Sequence, residues 1–186
     1  ELSQDATQTT EAQQPRLRGL IAPNEKQAFA NLNGERRFFQ HPLISFAAGE
    51  AWSVTTVFKY SGHTTTSYLI GNIDNNIALQ AGDRYYISGE VDNNAFIWLS
   101  ESESLVQAGL GKFNILTVTY NNGTINAYLN SSSSLGSKSA SGTMLFDCIL
   151  GKATGREFVG ALPFHIIHSE ALTPTKVLNE HTFLRS

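Results

Sequence analysis

Apolar and polar residues alternate most regularly between Phe113 and Leu129, on both sides of the dipeptide Asn122-Gly123. A two-residue type I′ hairpin turn needs positive φ at both central positions, which Asn and Gly adopt at the lowest cost. With that dipeptide as the loop, Asn121 lies opposite Thr124, Tyr120 opposite Ile125, Val118 opposite Ala127 and Leu116 opposite Leu129. These last six residues share one apolar face. Thr117, Thr119, Asn121, Thr124, Asn126 and Tyr128 share the other, so the pattern predicts a hairpin with one side for a core and one polar side bearing an aromatic ring.

Similar stretches occur along most of the chain. Trp52 to Tyr60 places Trp52, Val54, Phe58 and Tyr60 on one face and Ser53, Thr55 and Lys59 on the other, a half-buried strand. Segments 67–73, 77–81, 84–91 and 95–100 are rich in Ile, Leu, Tyr, Phe or Trp. They are separated by Asp74-Asn-Asn76, Gly82-Asp83 and Asp92-Asn-Asn94, which predicts a meander whose two Asp-Asn-Asn turns share one end. Shorter strand candidates cover 16–23, 28–32 and 43–46, and the last strands are expected at 145–150 and 158–167. Residues 131–142 form a Ser-rich low-complexity stretch, expected to be a mobile loop. The helix signal comes at the end, with Thr173 as N-cap, Pro174 at the first helical position, and one or two turns over 176–181. The sum is an all-β, two-sheet antiparallel jelly-roll sandwich with one short C-terminal helix.

Composition narrows the class. The 186 residues suit one domain, expected over 15–186, with the Gln- and Thr-rich residues 1–14 as a linker or extended arm. Charged residues are 16% and the net charge is −3, so there is no basic footprint for nucleic acid. No apolar run approaches the roughly 18 residues of a membrane helix, so membrane insertion is not expected. The chain begins with Glu1 and lacks signal-peptide character there, which suggests a piece of a longer protein. Cys148 is the sole cysteine, in an apolar run, and reads as a buried structural thiol; cysteine usage leans toward assembly in a reducing compartment. Asn122-Gly-Thr124 and Asn130-Ser-Ser132 fit the glycosylation pattern, but turn chemistry already accounts for Asn122.

Four stretches together resemble the laminin-G-like and concanavalin-A-like lectin/glucanase sandwiches, in particular the modules of bacterial surface and phage structural proteins. They are Asp5-Ala-Thr-Gln8 with Gln14-Pro15; Phe29 to Gly34; Phe113 to Asn130; and Leu150-Gly151 through Phe158-Val-Gly-Ala to Ser169-Glu-Ala-Leu-Thr173. The resemblance implies the sandwich fold and a choice among lectins, adhesion modules, glycosidases, lyases and structural domains.

Candidate chemistry separates these options. Glycosidases on such a fold set paired acids on alternate residues of one strand, and Glu101-Ser-Glu103 offers such a pair. It lies in a Ser-rich strand end and reads as a solvated edge. No Ser occupies a Gly-x-Ser-x-Gly elbow, and His165 and His168, three apart in a strand, fall on opposite faces. Sugar sites combine an aromatic ring with Asn, Asp and Thr groups. Two places have that make-up: the hairpin's polar face with Thr117, Thr119, Asn126 and Tyr128, and the meander end with Asp74, Asn76, Asp92 and Asn94. The same Asp74 and Asp92 are the candidate ligands should Ca²⁺ bind, although Asp and Asn are also ordinary turn residues; no cofactor is expected.

These features predict a non-catalytic recognition module, directed at a glycan or surface polysaccharide, within a larger cell-surface, extracellular or virion protein. A structural virion or capsid-decoration domain with protein partners is the first alternative, and a glycoside hydrolase or polysaccharide lyase the second. A homo-oligomer is a further expectation about partners.

Overall fold

The computed structural model describes residues 16–18, 28–31, 39–60, 67–71, 78–81, 87–91, 94–99, 112–149 and 160–186. The described strands are β1 (Arg16–Arg18), β2 (Ala28–Asn31), β3 (Phe39–Phe46), β4 (Trp52–Tyr60), β5 (Ser67–Gly71), β6 (Ala78–Ala81), β7 (Ile87–Val91), β8 (Asn94–Leu99), β9 (Phe113–Asn121), β10 (Thr124–Leu129), β11 (Ser137–Ser139), β12 (Met144–Ile149) and β13 (Gly160–His168); the helix α1 (Pro174–Arg185) follows. They form a seven-stranded sheet of order β1-β2-β13-β4-β9-β10-β11 and a six-stranded sheet of order β3-β12-β5-β6-β7-β8. Every strand pairing is antiparallel. The fold is an all-β sandwich.

The β9–β10 hairpin has the register its turn dictates. Asn121 pairs with Thr124, Tyr120 with Ile125, Val118 with Ala127 and Leu116 with Leu129. Asn122 and Gly123 have φ of 44° and 81°, the left-handed conformation that requires this dipeptide.

The two sheets meet over an aromatic cluster. Trp52 from β4 stacks on Tyr120 from β9 at 5.7 Å between ring centroids and meets Phe146 from β12 edge-on at 5.5 Å. Phe46 from β3 packs on both Trp52 and Phe146. Around these rings Val54, Leu116, Val118, Ile125, Leu129 and Met144 are buried. The offset and edge-to-face geometries suit the ring quadrupoles and add to the apolar area removed from water.

Two regions differ from the sequence expectation. The Ser-rich stretch 131–142 contains β11, an edge strand paired with β10 from Thr124↔Ser139 to Asn126↔Ser137. Serine hydroxyls hold its approach, because Ser133 and Gly136 donate their backbone N–H to Ser131 and Ser134 Oγ. Backbone groups of Leu135 and Ala140 bond the hairpin at Ala127 and Gly123. Low apolar content does not prevent ordering where main-chain and hydroxyl bonds supply the contacts. The other is α1, twelve residues long rather than one or two turns. It starts as the sequence indicates, on Thr173, whose side chain accepts from Lys176 N, with Pro174 at the first position.

Candidate functional site

The hairpin's polar side, a candidate ligand face, is closed by α1. Strand alternation puts Ser53, Thr55, Thr117, Thr119 and Tyr128 on the outer face of the seven-stranded sheet, opposite the aromatic core. All five are buried, Thr119 at 4% and Tyr128 at 6% exposure. Tyr128 packs with Leu172 and Val177, which come from the approach to α1 and from its first turn. Asn126, half-buried at the hairpin's edge, accepts a hydrogen bond from Ser137 Oγ at 2.6 Å. The openness expected at Thr117, Thr119 and Tyr128 is therefore absent: a helix lies where solvent or ligand was anticipated.

Beneath α1 the hydrogen bonds form an ordered chain. Thr55 Oγ1 donates to Glu180 Oε2 at 2.8 Å, and Thr55 and Thr117 Oγ1 lie 2.8 Å apart. Thr117 Oγ1 is also 2.8 Å from His181 Nε2. Each hydroxyl has one proton, so Thr55, having given its own to the carboxylate, accepts from Thr117, and Thr117 accepts from His181 Nε2–H. His181 is thus neutral with its proton on Nε2. Its Nδ1 is buried with no hydrogen-bond partner. Burial and the nearby Arg185 push the His181 pKa down to about 4, against the smaller opposing effect of Glu180. Burial pushes the Glu180 carboxyl up, but the hydrogen bonds from His168 and Thr55 outweigh it and leave its pKa lowered. His168 Nε2 completes the chain at 3.1 Å from Glu180 Oε1. Ser53 anchors the segment before the helix, donating to Glu170 O and accepting from Leu172 N, each at 2.8 Å. The chain of bonds fastens the helix to the sheet.

His165 and His168 lie on opposite faces, as their spacing requires. His165 Nδ1 is 3.0 Å from Thr56 Oγ1 on the core side, while His168 meets Glu180 under the helix. The carboxylates Glu50, Glu170 and Glu180 are each engaged structurally: Glu50 with the Ala47 N–H in a turn, Glu170 with Lys176 at 2.6 Å, and Glu180 in the chain above. Glu101 and Glu103 lie outside the described residues. Among the described residues no group of three His, Cys, Asp or Glu side chains is arranged to hold a metal.

The second candidate site is at the meander. Asp74, Asn76 and Asp92 lie outside the described residues, and Asn94 opens β8. The strands they connect follow one another in order, with Gly71 paired to Ala78, Ala78 to Glu90 and Val91 to Asn94. The β5–β6 and β7–β8 connections therefore leave the six-stranded sheet at the same end, as the alternation of a meander demands.

Two antiparallel sheets packed through an aromatic core define a β-sandwich domain, and solved structures share that architecture. One similar structure is domain 4 of AbnA, an extracellular arabinanase from Geobacillus stearothermophilus, in complex with arabinotriose, with a TM-score of 0.63 at 18% identity over 82% of this chain and 75% of that one. Another belongs to botulinum neurotoxin type C, which interacts with two ganglioside molecules to get into cells; the TM-score is 0.63 at 11% identity over 98% of this chain and 47% of that chain. A third is Trypanosoma rangeli sialidase in complex with sialic acid, with a TM-score of 0.57 at 9% identity over 88% of this chain and 28% of that chain. The chain thus spans three quarters of the arabinanase domain but under half of the toxin chain and about a quarter of the sialidase. No protein-family model and no curated protein matches. Among the described residues no helix is long and apolar enough to cross a membrane.

Proposed function

We propose that the chain is a non-catalytic carbohydrate-recognition module of a larger extracellular protein, with its glycan site at the β5–β6 and β7–β8 end of the six-stranded sheet. The observation that supports this reading is the meander order, which brings the two Asp-Asn-Asn connections to one sheet end while the rival polar face lies under α1. Asp74 and Asp92 would accept from sugar hydroxyls, and the Asn76 and Asn94 amides would donate to them. Sugar-directed neighbours of the same fold, one carrying arabinotriose and one sialic acid, are consistent with the reading.

The test is a glycan array probed with the whole chain and with Asp74→Ala and Asp92→Ala. Binding to a defined glycan class, reduced in both variants, is the expected result. Equal binding by all three proteins would remove this sheet end from the site. No binding to any glycan would favour a structural domain held by protein contacts.

A further inference from the structure

The outer face of the seven-stranded sheet is closed under the body of α1 but changes character beyond its C-terminal end. There Phe113, the first residue of β9, is 57% exposed. Lys59 is its register partner on β4, and Lys59 Nζ lies 5.6 Å from the Phe113 ring centroid. Strand alternation puts both side chains on the face that carries α1, the face of Val57, Ile115 and Thr117. Arg185, in the last turn of α1, donates from its guanidinium to the carbonyl oxygen of Asn130 at the end of β10.

A hydrogen-bonded frame fixes these groups with respect to one another. Asn130 Oδ1 accepts from Ile115 N, and Asn130 Nδ2 donates to Asn114 Oδ1, both at 2.8 Å. Asn114 Nδ2 donates in turn to the Lys112 carbonyl at 3.0 Å. The Arg185 attachment point is thus tied to Ile115, which is only about 7 Å along the strand from Phe113. Lys59 and Arg185, from two separate segments, lie at one sheet corner of a protein whose net charge is −3. Among the described residues neither pairs with a carboxylate. Lys176 pairs with Glu170, and His168 Nε2 meets Glu180.

We infer that this corner is a second binding site, and that its ligand is a saccharide bearing a carboxylate, such as a uronic acid unit. The Phe113 ring offers an apolar face for the C–H side of a pyranose. The planar fork of Arg185 matches a carboxylate in a way a point charge does not, and Lys59 supplies further charge. Cation and aromatic surface lie side by side, so a ligand with both an anionic group and a flat apolar face satisfies the corner better than a simple anion. The site goes beyond the recognition role assigned to the meander end, and it stands or falls separately.

The experiment is calorimetric titration of the whole chain with tetragalacturonate, and in parallel with neutral maltotetraose, inorganic sulfate and hexaglutamate. Phe113→Ala is expected to weaken tetragalacturonate binding about tenfold through the lost stacking. Arg185→Gln is expected to weaken it about tenfold or more through the lost charged bond. Phe113→Tyr should retain most of the affinity, and Asp74→Ala should leave it unchanged, which separates this site from the meander end. The inference is overturned if tetragalacturonate does not bind, or if Phe113→Ala binds it as the wild type does. It is likewise overturned if hexaglutamate or sulfate binds as tightly, because the corner would then be a non-selective cationic patch. Phe113 and Arg185 are exposed, and a far-UV spectrum with a melting curve confirms that each variant is folded.

Discussion

Acidification should loosen the C-terminal helix through one residue, His181. Its ring is fully buried, donates from Nε2 to Thr117 at 2.8 Å, and leaves Nδ1 without a partner. A second proton would have to sit on that orphan nitrogen, in a site that contains no acceptor for it. The folded chain takes up the proton only near pH 4, whereas the ordinary value is 6.5. The unfolded state therefore binds more protons between these values, and stability falls as the pH drops from 6.5 towards 4, then levels off. The full depression corresponds to about 3 kcal/mol at 1.36 kcal/mol per pH unit, of which about 2 kcal/mol is already lost at pH 5. Glu180 acts in a lower window: its pKa is held below 4.5, so its contribution is present above that value and is lost only in stronger acid. Urea unfolding at pH 7, 6 and 5 measures the effect, with His181→Leu as comparison. At pH 7 the variant should be less stable by about 1 kcal/mol for the lost bond to Thr117. Its decline between pH 7 and 5 should be shallower than the wild type's by about 2 kcal/mol. Both proteins keep the other four histidines, so the difference isolates His181. Parallel pH profiles would refute the assignment of the neutral Nε2–H form and of the chain it feeds.

Other consequences are open to measurement. A Cβ at Gly123 would meet only Ala140 O, in ordinary contact at 3.7 Å, but Gly123→Val forces a β-branched residue to a φ of 81°. The melting temperature should fall with a cost of about 1 to 2 kcal/mol, and an unchanged value would refute the turn assignment. Trp52→Ala removes the centre of the aromatic cluster and should cost about 3 to 5 kcal/mol in chemical unfolding. Calcium is expected to leave the melting temperature where chelator leaves it; a site filled at a hundred times its Kd would instead add about 2.7 kcal/mol.

The hairpin was legible because one dipeptide specifies both turn geometry and register, and the alternation on either side agrees with it. The start of α1 was legible for a similar reason, since Thr173 and Pro174 carry local capping information. Its length was not. Val177 and His181 are its buried residues, so it carries almost no apolar stripe, and its attachment is made by Glu180 and His181 to hydroxyls of distant strands. The burial of Thr117, Thr119 and Tyr128 was hidden for the matching reason: a row of Thr on a strand reads the same whether it faces water or a helix that brings complementary polar groups. A Thr row on adjacent strands together with an adjacent Glu-His pair in a helix was the available signal. The order of β11 was concealed by its serines, which have little strand preference but hold the segment through main-chain bonds. At the meander, strand order was readable from the spacing of Asp-Asn-Asn turns, and the register of β5 to β8 agrees with it.

Recognition without catalysis is tested most directly by titrating the isotopically labelled chain with the best glycan from the array and following protein and sugar signals together. The account predicts saturable shifts concentrated at residues 71–78 and 91–94, with the sugar signals broadened and no new anomeric resonance over a day. Release of a shorter sugar, or saturable shifts that leave those two segments untouched, would contradict it.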